Sequence, residues 1–347
     1  MGPIVEAEPT AASTPVPAQG TMTRTMRAIV QNGYGSPDVL QVAEIEVPGI
    51  AANEVLVRVR AAGVDRGVRH FMAGEPYAVR LGLGLRGPKG RVAGMDVAGT
   101  VVAVGAEVTR FAVGDEVFGI GRGSFAEYAA AREDKLARKP AGLSFAQAGV
   151  IAVSGDTALQ GVRNVGRVQA GQQVLVIGAS GGVGTYAVQL AKAFGAEVTG
   201  VCSAAKMDLV RSIGADHVLD YARDDFADGA RRYDVIIDIA GDSSLSRLRR
   251  ALTPRGTLVI TGGELAGKVL GMGRQLRMLA LSVFVRQRLT MFITSQRSAD
   301  METLSALIEA GKVTPVVGAT FALADAPEAL RLLESGQARG KIAITVE

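Results

Sequence analysis

The chain has 347 residues, 48% hydrophobic and 21% charged, enough for two domains with separate cores. Its net charge of +4 reads as a small, dispersed excess, which argues against nucleic acid as a partner; the single cysteine excludes an intrachain disulfide and fits a reducing, cytoplasmic setting. No apolar stretch reaches the ~18 residues of a membrane span, and no solenoid-type repeat occurs.

Residues 1–25 are dominated by Pro, Ala, Ser, Thr and Glu and hold little to bury, so a disordered extension is expected there. The segment lacks the basic start and apolar core of a signal peptide, and Met22 or Met26 can begin the folded part. From Met26 the chain reads as β-rich. Residues 27–31 form a short strand, 54–60 alternate as a half-buried one, and 97–105 and 115–119 follow between glycine turns. From about Ser154 the pattern changes to strand–helix alternation. Strands are expected at 173–177, 197–201, 217–219, 234–239 and 257–260, with helices between them that include 206–213 and 243–252. Sequential βαβ units imply a parallel, doubly wound sheet. A strand near 288–293, a helix at 301–310 and a strand–helix–strand tail ending at 342–346 complete the chain. The tail is expected to return to the first domain.

The most informative run is Gln173-Val-Leu-Val-Ile-Gly-Ala-Ser-Gly-Gly-Val-Gly184. An apolar strand enters a glycine cluster, and Val183, Ala187, Leu190, Ala191 and Phe194 then recur at helical spacing. Strand, glycine turn and helix N-terminus form a pyrophosphate site, here with Ala179 at the first glycine position of G-x-G-x-x-G. Ser180, Gly181, Gly182, Val183 and Gly184 are therefore candidate cofactor contacts. Past the second strand, an NAD site would carry a carboxylate for the ribose 2′-hydroxyl. Instead the chain reads Cys202-Ser-Ala-Ala-Lys206, with no acid before Asp208. Ser203 and Lys206 suit a 2′-phosphate, which selects NADPH over NADH; the competing reading leaves Lys206 solvated on the first turn of the next helix.

Several ordered pieces carry a family resemblance: Glu54-Val-Leu-Val-Arg-Val, Ala61-Ala-Gly-Val-Asp65, Gly94-Met-Asp-Val-Ala-Gly99, Gly114-Asp-Glu-Val-Phe-Gly119, Gly123-Ser-Phe-Ala-Glu-Tyr128, the Ala179–Gly184 turn and Gly214-Ala-Asp-His-Val218. Over residues 26–347 the chain resembles the medium-chain dehydrogenase/reductase superfamily, in its zinc-free quinone oxidoreductase-like branch. The resemblance implies a GroES-like catalytic domain built from 26–153 and 294–347, with an NADP-binding Rossmann domain over 154–293 inserted into it. Where zinc-dependent relatives carry a cysteine and a His–Glu pair, this chain has Asp65 and Met95-Asp96. With His70 and His217 as the only histidines and Cys202 as the only cysteine, no Cys/His zinc site can be assembled. A carboxylate-rich site of Asp65, Asp96 and His70 is the remaining arrangement. Without a metal to polarise an alcohol, the acceptor must already be electron-poor, as quinones and conjugated enones are.

Family position implies further site residues. Asp65 stands where related quinone reductases often carry Asn. His70 stands where relatives place a pocket-facing tyrosine, and Tyr77 follows. His70, or a water it holds, is the candidate proton donor; a structural histidine bonded to backbone is the alternative. Thr157 matches a threonine near the nicotinamide ribose, Tyr221 a tyrosine near the adenine ribose phosphate, and Ala240, Gly262 and Gly263 end successive strands of the sheet. Residues 264–293 mix Leu, Met, Val and Phe with arginines. They are open to three readings: a membrane surface, a substrate channel or a contact between subunits. Their place after the Thr261-Gly-Gly turn favours a loop over the active site, and residues 288–293 resemble a strand that relatives pair across a homodimer. The leading function is an NADPH-dependent quinone or enone reductase acting on a small molecule, with no stable insertion into a membrane. The alternatives are an enoyl-thioester or carbonyl reductase and a non-catalytic nucleotide-binding scaffold.

Overall fold

The computed structural model describes residues 25–241, 243–261 and 273–347. The extension expected over 1–25 lies outside them except for Thr25, which opens a strand. The strands in chain order are β1 (Thr25–Gln31), β2 (Leu40–Glu46), β3 (Glu54–Val64), β4 (Asp96–Val104), β5 (Glu116–Ile120), β6 (Tyr128–Arg132), β7 (Leu136–Arg138), β8 (Gln173–Ile177), β9 (Glu197–Cys202), β10 (His217–Asp220), β11 (Tyr233–Asp238), β12 (Leu252–Ile260), β13 (Arg288–Met291), β14 (Val317–Ala322) and β15 (Lys341–Thr345).

β8 shows why the nucleotide sheet is buried on both faces. Val174 and Val176 join one apolar cluster, while Leu175 and Ile177 join another on the opposite side. With side chains alternating at period two, an unbroken apolar run fills two cores at once. The sheet has the order β10-β9-β8-β11-β12-β13, and every pairing in it is parallel. Strand order reverses between β8 and β11, so a crevice opens at the carboxyl ends of these two strands. β13 ends the sheet as its edge strand.

The second large sheet has the order β14-β15-β3-β4-β5-β7, with β6 also on β3; β1 and β2 form a separate antiparallel pair. β15 lies antiparallel to β3, with Ile342 opposite Val64 and Thr345 opposite Ala61, so the tail does return to the first sheet. It also reaches the nucleotide sheet, because Gly340 N–H donates to the Ser180 carbonyl at 2.8 Å. The helix Ala152–Leu159 packs against the helix Gly182–Ala193 and joins the two halves. The described residues therefore combine a GroES-like sheet with a Rossmann-type one, as the family resemblance implies. No helix among them is long and apolar enough to cross a membrane.

One carboxyl inside this junction is only partly compensated. Asp156, on the helix Ala152–Leu159, is fully buried, and the Arg297 backbone amide and the Arg163 guanidinium offset only part of that burial. Burial, reinforced by the nearby Asp300 carboxylate, pushes its pKa up to about 8. In the unfolded chain the same group ionises near the ordinary value of 3.8. Between those values the native state holds a proton that the unfolded state has lost, so stability falls as pH rises from about 4 and levels off near 8, by up to about 1.4 kcal/mol per pH unit. Asp156→Asn, which removes the ionisation and keeps the shape, is expected to flatten this decline. Urea unfolding across pH 4–8 measures it, and an unchanged slope in the variant would refute the assignment.

Candidate active site

The glycine turn folds as the sequence dictates. Gly181 is the N-cap of the helix Gly182–Ala193 and has no side-chain cap, so the first amides of the helix point outward without intrahelical partners. A Cβ at Gly181 would meet only the Gly178 carbonyl at 3.5 Å and would otherwise project into open space. That is the space an anion needs to reach those amides. Gly184 has a different role. A Cβ there would lie 2.1 Å from the Gly178 carbonyl oxygen, so it allows the helix to pack against the turn.

Above the turn lies a cavity of about 1000 Å³ that runs between the two sheets. At its adenosine end Cys202, Ser203, Lys206 and Tyr221 line the wall past the ends of β9 and β10. At the other end stand Asp65, His70, Thr157 and Thr294, with Lys341 beneath the glycine turn. Arg66, Lys206, Arg247 and Lys341 give the lining four cationic side chains, against the single carboxylate of Asp65. Asp208 stays outside the lining, with its carboxylate bound by Arg339 at 2.7 and 2.8 Å.

The individual groups are held by short, specific contacts. Asp65 caps the helix Arg66–Ala73 through Oδ1, which accepts from Val68 N–H at 3.1 Å, while its Oδ2 is buried without a partner. His70 Nδ1 lies 2.8 Å from the Glu75 carbonyl. A carbonyl can only accept, so Nδ1 carries the proton of this bond and Nε2 is the ring nitrogen left for other work. The Thr157 hydroxyl donates to the Val153 carbonyl at 2.7 Å and meets the Thr294 hydroxyl at 3.0 Å. Lys206 Nζ donates to the Gly336 and Ala338 carbonyls, both at 2.7 Å, which leaves one of its three N–H groups. Burial, with the Arg339 guanidinium nearby, draws its ammonium below the usual lysine range. Lys341 and Asp96 form a buried ion pair at 3.3 Å, and Asp96 Oδ1 accepts from Val153 N–H at 2.7 Å. Burial pushes the Asp96 carboxyl up, to about 6, against the pull of the ammonium. The Cys202 thiol is pushed up by burial as well.

Asp65, His70, Thr157, Ser180, Gly181, Gly182, Val183, Ser203, Lys206, Tyr221 and Ala240, all read from the sequence, line this one cavity. Three expectations need correction. Tyr77 is absent from the lining; its half-exposed ring stacks on the Arg80 guanidinium at 4.6 Å. Gly184 is also absent, because its α-carbon is pressed on the turn. Lys206 is neither freely solvated nor free for a phosphate alone, since two of its protons hold the 336–338 loop. Gly262 and Gly263 lie outside the described residues. Within 264–293, the expected loop over the site is in part a helix, Gly273–Ser282, which stays out of the lining; Phe292 and Ile293 are the residues of that stretch that enter it.

Sequence reasoning missed Lys341, Arg66, Arg247 and Thr294. Lys341 had a signal, a cation placed directly before the apolar run Ile342-Ala-Ile344. Arg247 had none, since one arginine among several on a short helix is indistinguishable by spacing.

A zinc centre does not fit this donor set. Among the described residues no group of three or more His, Cys, Asp and Glu is placed to hold a metal. Asp96 is engaged by Lys341 and Val153, and His217 is bonded to Glu197 in the nucleotide sheet. A nicotinamide dinucleotide does fit: outward amides, open space over Gly181 and a mostly cationic lining match its charge and its pyrophosphate.

Comparison with known proteins agrees with this geometry. Residues 51–141 match the family described as "Alcohol dehydrogenase GroES-like domain", and residues 213–344 match "Zinc-binding dehydrogenase". The chain is 33% identical to an NADPH-dependent alkenal/one oxidoreductase, chloroplastic, of Arabidopsis thaliana, over 95% of this chain and 82% of the relative. It is 32% identical to a 2-methylene-furan-3-one reductase of Solanum lycopersicum, over 92% and 79% of the two chains. The quinone oxidoreductase from Coxiella burnetii superposes with a TM-score of 0.81 at 28% identity, covering 93% of this chain and all of the other.

Lys206 gives the test of the adenosine end. Lys206→Ala is expected to raise the NADPH dissociation constant at least about tenfold, the scale of one lost charge-assisted bond, and to change the NADH constant much less. Fluorescence titration with both cofactors checks it; equal losses would mean that the lysine only holds the 336–338 loop.

Proposed function

This chain belongs to the medium-chain dehydrogenase/reductase family, and from that premise we propose that it is an NADPH-dependent oxidoreductase that reduces quinones or activated alkenes without a metal. The observation that carries this reading is the cavity at the strand-order reversal, where the glycine turn and four cationic side chains converge and no Cys/His ligand set does. NADPH supplies the hydride when bound. The chain's own groups bind, orient and protonate. Amides at Gly182 and Val183 receive the pyrophosphate, while Ser203, Tyr221 and the remaining Lys206 proton face the 2′-phosphate. Thr157 and Ala240 border the nicotinamide half.

Lacking a Lewis acid, the site can work only on an acceptor whose carbonyl already draws electrons from the reacting carbon. Charge then develops on that carbonyl oxygen, and Arg66 lines this end of the cavity, whereas the Lys341 charge is already met by Asp96. His70 is the proton donor in this reading. Its Nδ1–H stays on the Glu75 carbonyl, which fixes the ring, and Nε2–H of the imidazolium is the proton it gives up. A homodimer remains the sequence-based expectation, supported by the free edge of β13.

Two measurements test this function. NADPH oxidation is expected with soluble quinones and alkenals and is expected to persist after prolonged chelation. Activity confined to crotonyl thioesters, or stoichiometric zinc whose removal abolishes turnover, would overturn it. In the second, His70→Ala is expected to slow alkenal reduction about 10²-fold and quinone reduction much less, because a hydroquinone anion can take its proton later from water. Equal losses on both substrates, with a lowered melting temperature, would mark the histidine as structural.

A further inference from the structure

The basic excess of this chain is not dispersed. From Leu265 to Ala299 there is no Asp or Glu and there are six Lys or Arg; against a net charge of +4 for the whole chain, the remainder sums to −2. In the described part of this stretch, the helix Gly273–Ser282 buries Gln275 and Met278 against the sheet and turns Leu276, Arg277 and Leu279 to solvent. Leu276 and Leu279 stand three apart on one face of the helix, and Val283 follows just past its end. Val283 is 80% and Phe284 85% exposed. Behind Phe284 lies an open hollow of about 510 Å³ with the Arg249, Arg250 and Arg286 side chains around it. Arg249 is bonded to Gln287 at 3.0 Å, and Arg250 is within electrostatic reach of Asp225, whereas among the described residues no ion pair or hydrogen bond engages the guanidinium groups of Arg277 or Arg286.

Large apolar side chains standing out of a surface, ringed by guanidinium groups, are unusual on a free face. A second copy of the chain is a poor occupant. A two-fold contact sets the same patch against itself, so these arginines would face their own copies with no carboxylate from this stretch between them. An aqueous anion would match the arginines and leave Phe284 and Val283 in water. An anionic membrane surface satisfies both: the apolar stripe enters the headgroup–acyl boundary, and the arginines lie level with lipid phosphates. We propose that this face, made by the helix Gly273–Ser282, Val283, Phe284 and Arg286 together with Arg250, is a peripheral docking surface for anionic lipid bilayers. The inference is independent of the reaction, since none of these residues lines the cofactor cavity.

The test is co-sedimentation of the full chain with vesicles of phosphatidylcholine alone or mixed with phosphatidylglycerol. Binding is expected only to the mixed vesicles and is expected to fall as salt rises. Phe284→Ser should weaken it about tenfold or more, and Arg250→Gln or Arg286→Gln about fivefold each. NADPH oxidation with a soluble quinone should be unchanged in all three variants, because these side chains are exposed and outside the cavity. Equal binding to both vesicle types, no binding at low salt, or variants that bind like the parent would overturn the proposal. So would sedimentation equilibrium in which Phe284→Ser turns a dimer into monomers, since the face would then be covered by a second copy.

Discussion

The buried Lys341–Asp96 pair is the constraint on which the site depends. Lys341 opens the last strand, Asp96 opens β4, and the second carboxylate oxygen of Asp96 holds the Val153 amide at the entry to the central helix. Three chain segments far apart in sequence are thereby fixed at one point. Both side chains are almost fully removed from water, so neither charge is tolerable without the other, and losing one partner of such a pair typically costs about 3–5 kcal/mol. The same lysine packs directly under Gly182, where a Cβ would come within 2.8 Å of its Cδ. The floor of the dinucleotide turn is therefore made by the far end of the chain.

This arrangement gives the cavity its electrostatic character. Its cations come from three short helical segments and the last strand, and much of their charge is directed by backbone carbonyls or carboxylates outside the lining. Lys206 illustrates the principle. Tied to the Gly336 and Ala338 carbonyls, its ammonium is held at the cavity wall, and little side-chain entropy is left to lose. Asp208, the first acid after β9, is held by Arg339 and stays outside the cavity lining.

The polar cluster under the central helix follows a different logic. Gln160 and Arg163, in a π-helical turn, both bind Asp300, while Asp156 beside them is kept uncharged chiefly by burial. A neutral carboxyl spares the native state the cost of a second negative charge beside Asp300. The cluster connects the helix that carries Thr157 to the segment that carries Thr294, two residues that meet in the cavity.

The local features of this protein were legible in its sequence. β8 is a run of four apolar residues because both of its faces are covered, and the glycine turn after it must leave space for a ligand; such constraints are written in consecutive residues. The Ser203–Lys206 segment and the poverty of metal ligands were equally readable, because they are matters of inventory. Contacts between segments distant in the chain were not readable. Nothing in the spacing of Gly184 distinguishes a ligand contact from a backbone packed on Gly178, and nothing near Tyr77 shows that its ring belongs to Arg80. Lys341, Arg66 and Arg247 joined the site only when the return of β15 and the packing of two short helices brought them there. The sequence by itself determined which chemistry the chain can support, because residue types and local periodicity set that. The tertiary structure decided which charges meet in the cavity, because charge pairing in a desolvated space depends on distance and not on order along the chain.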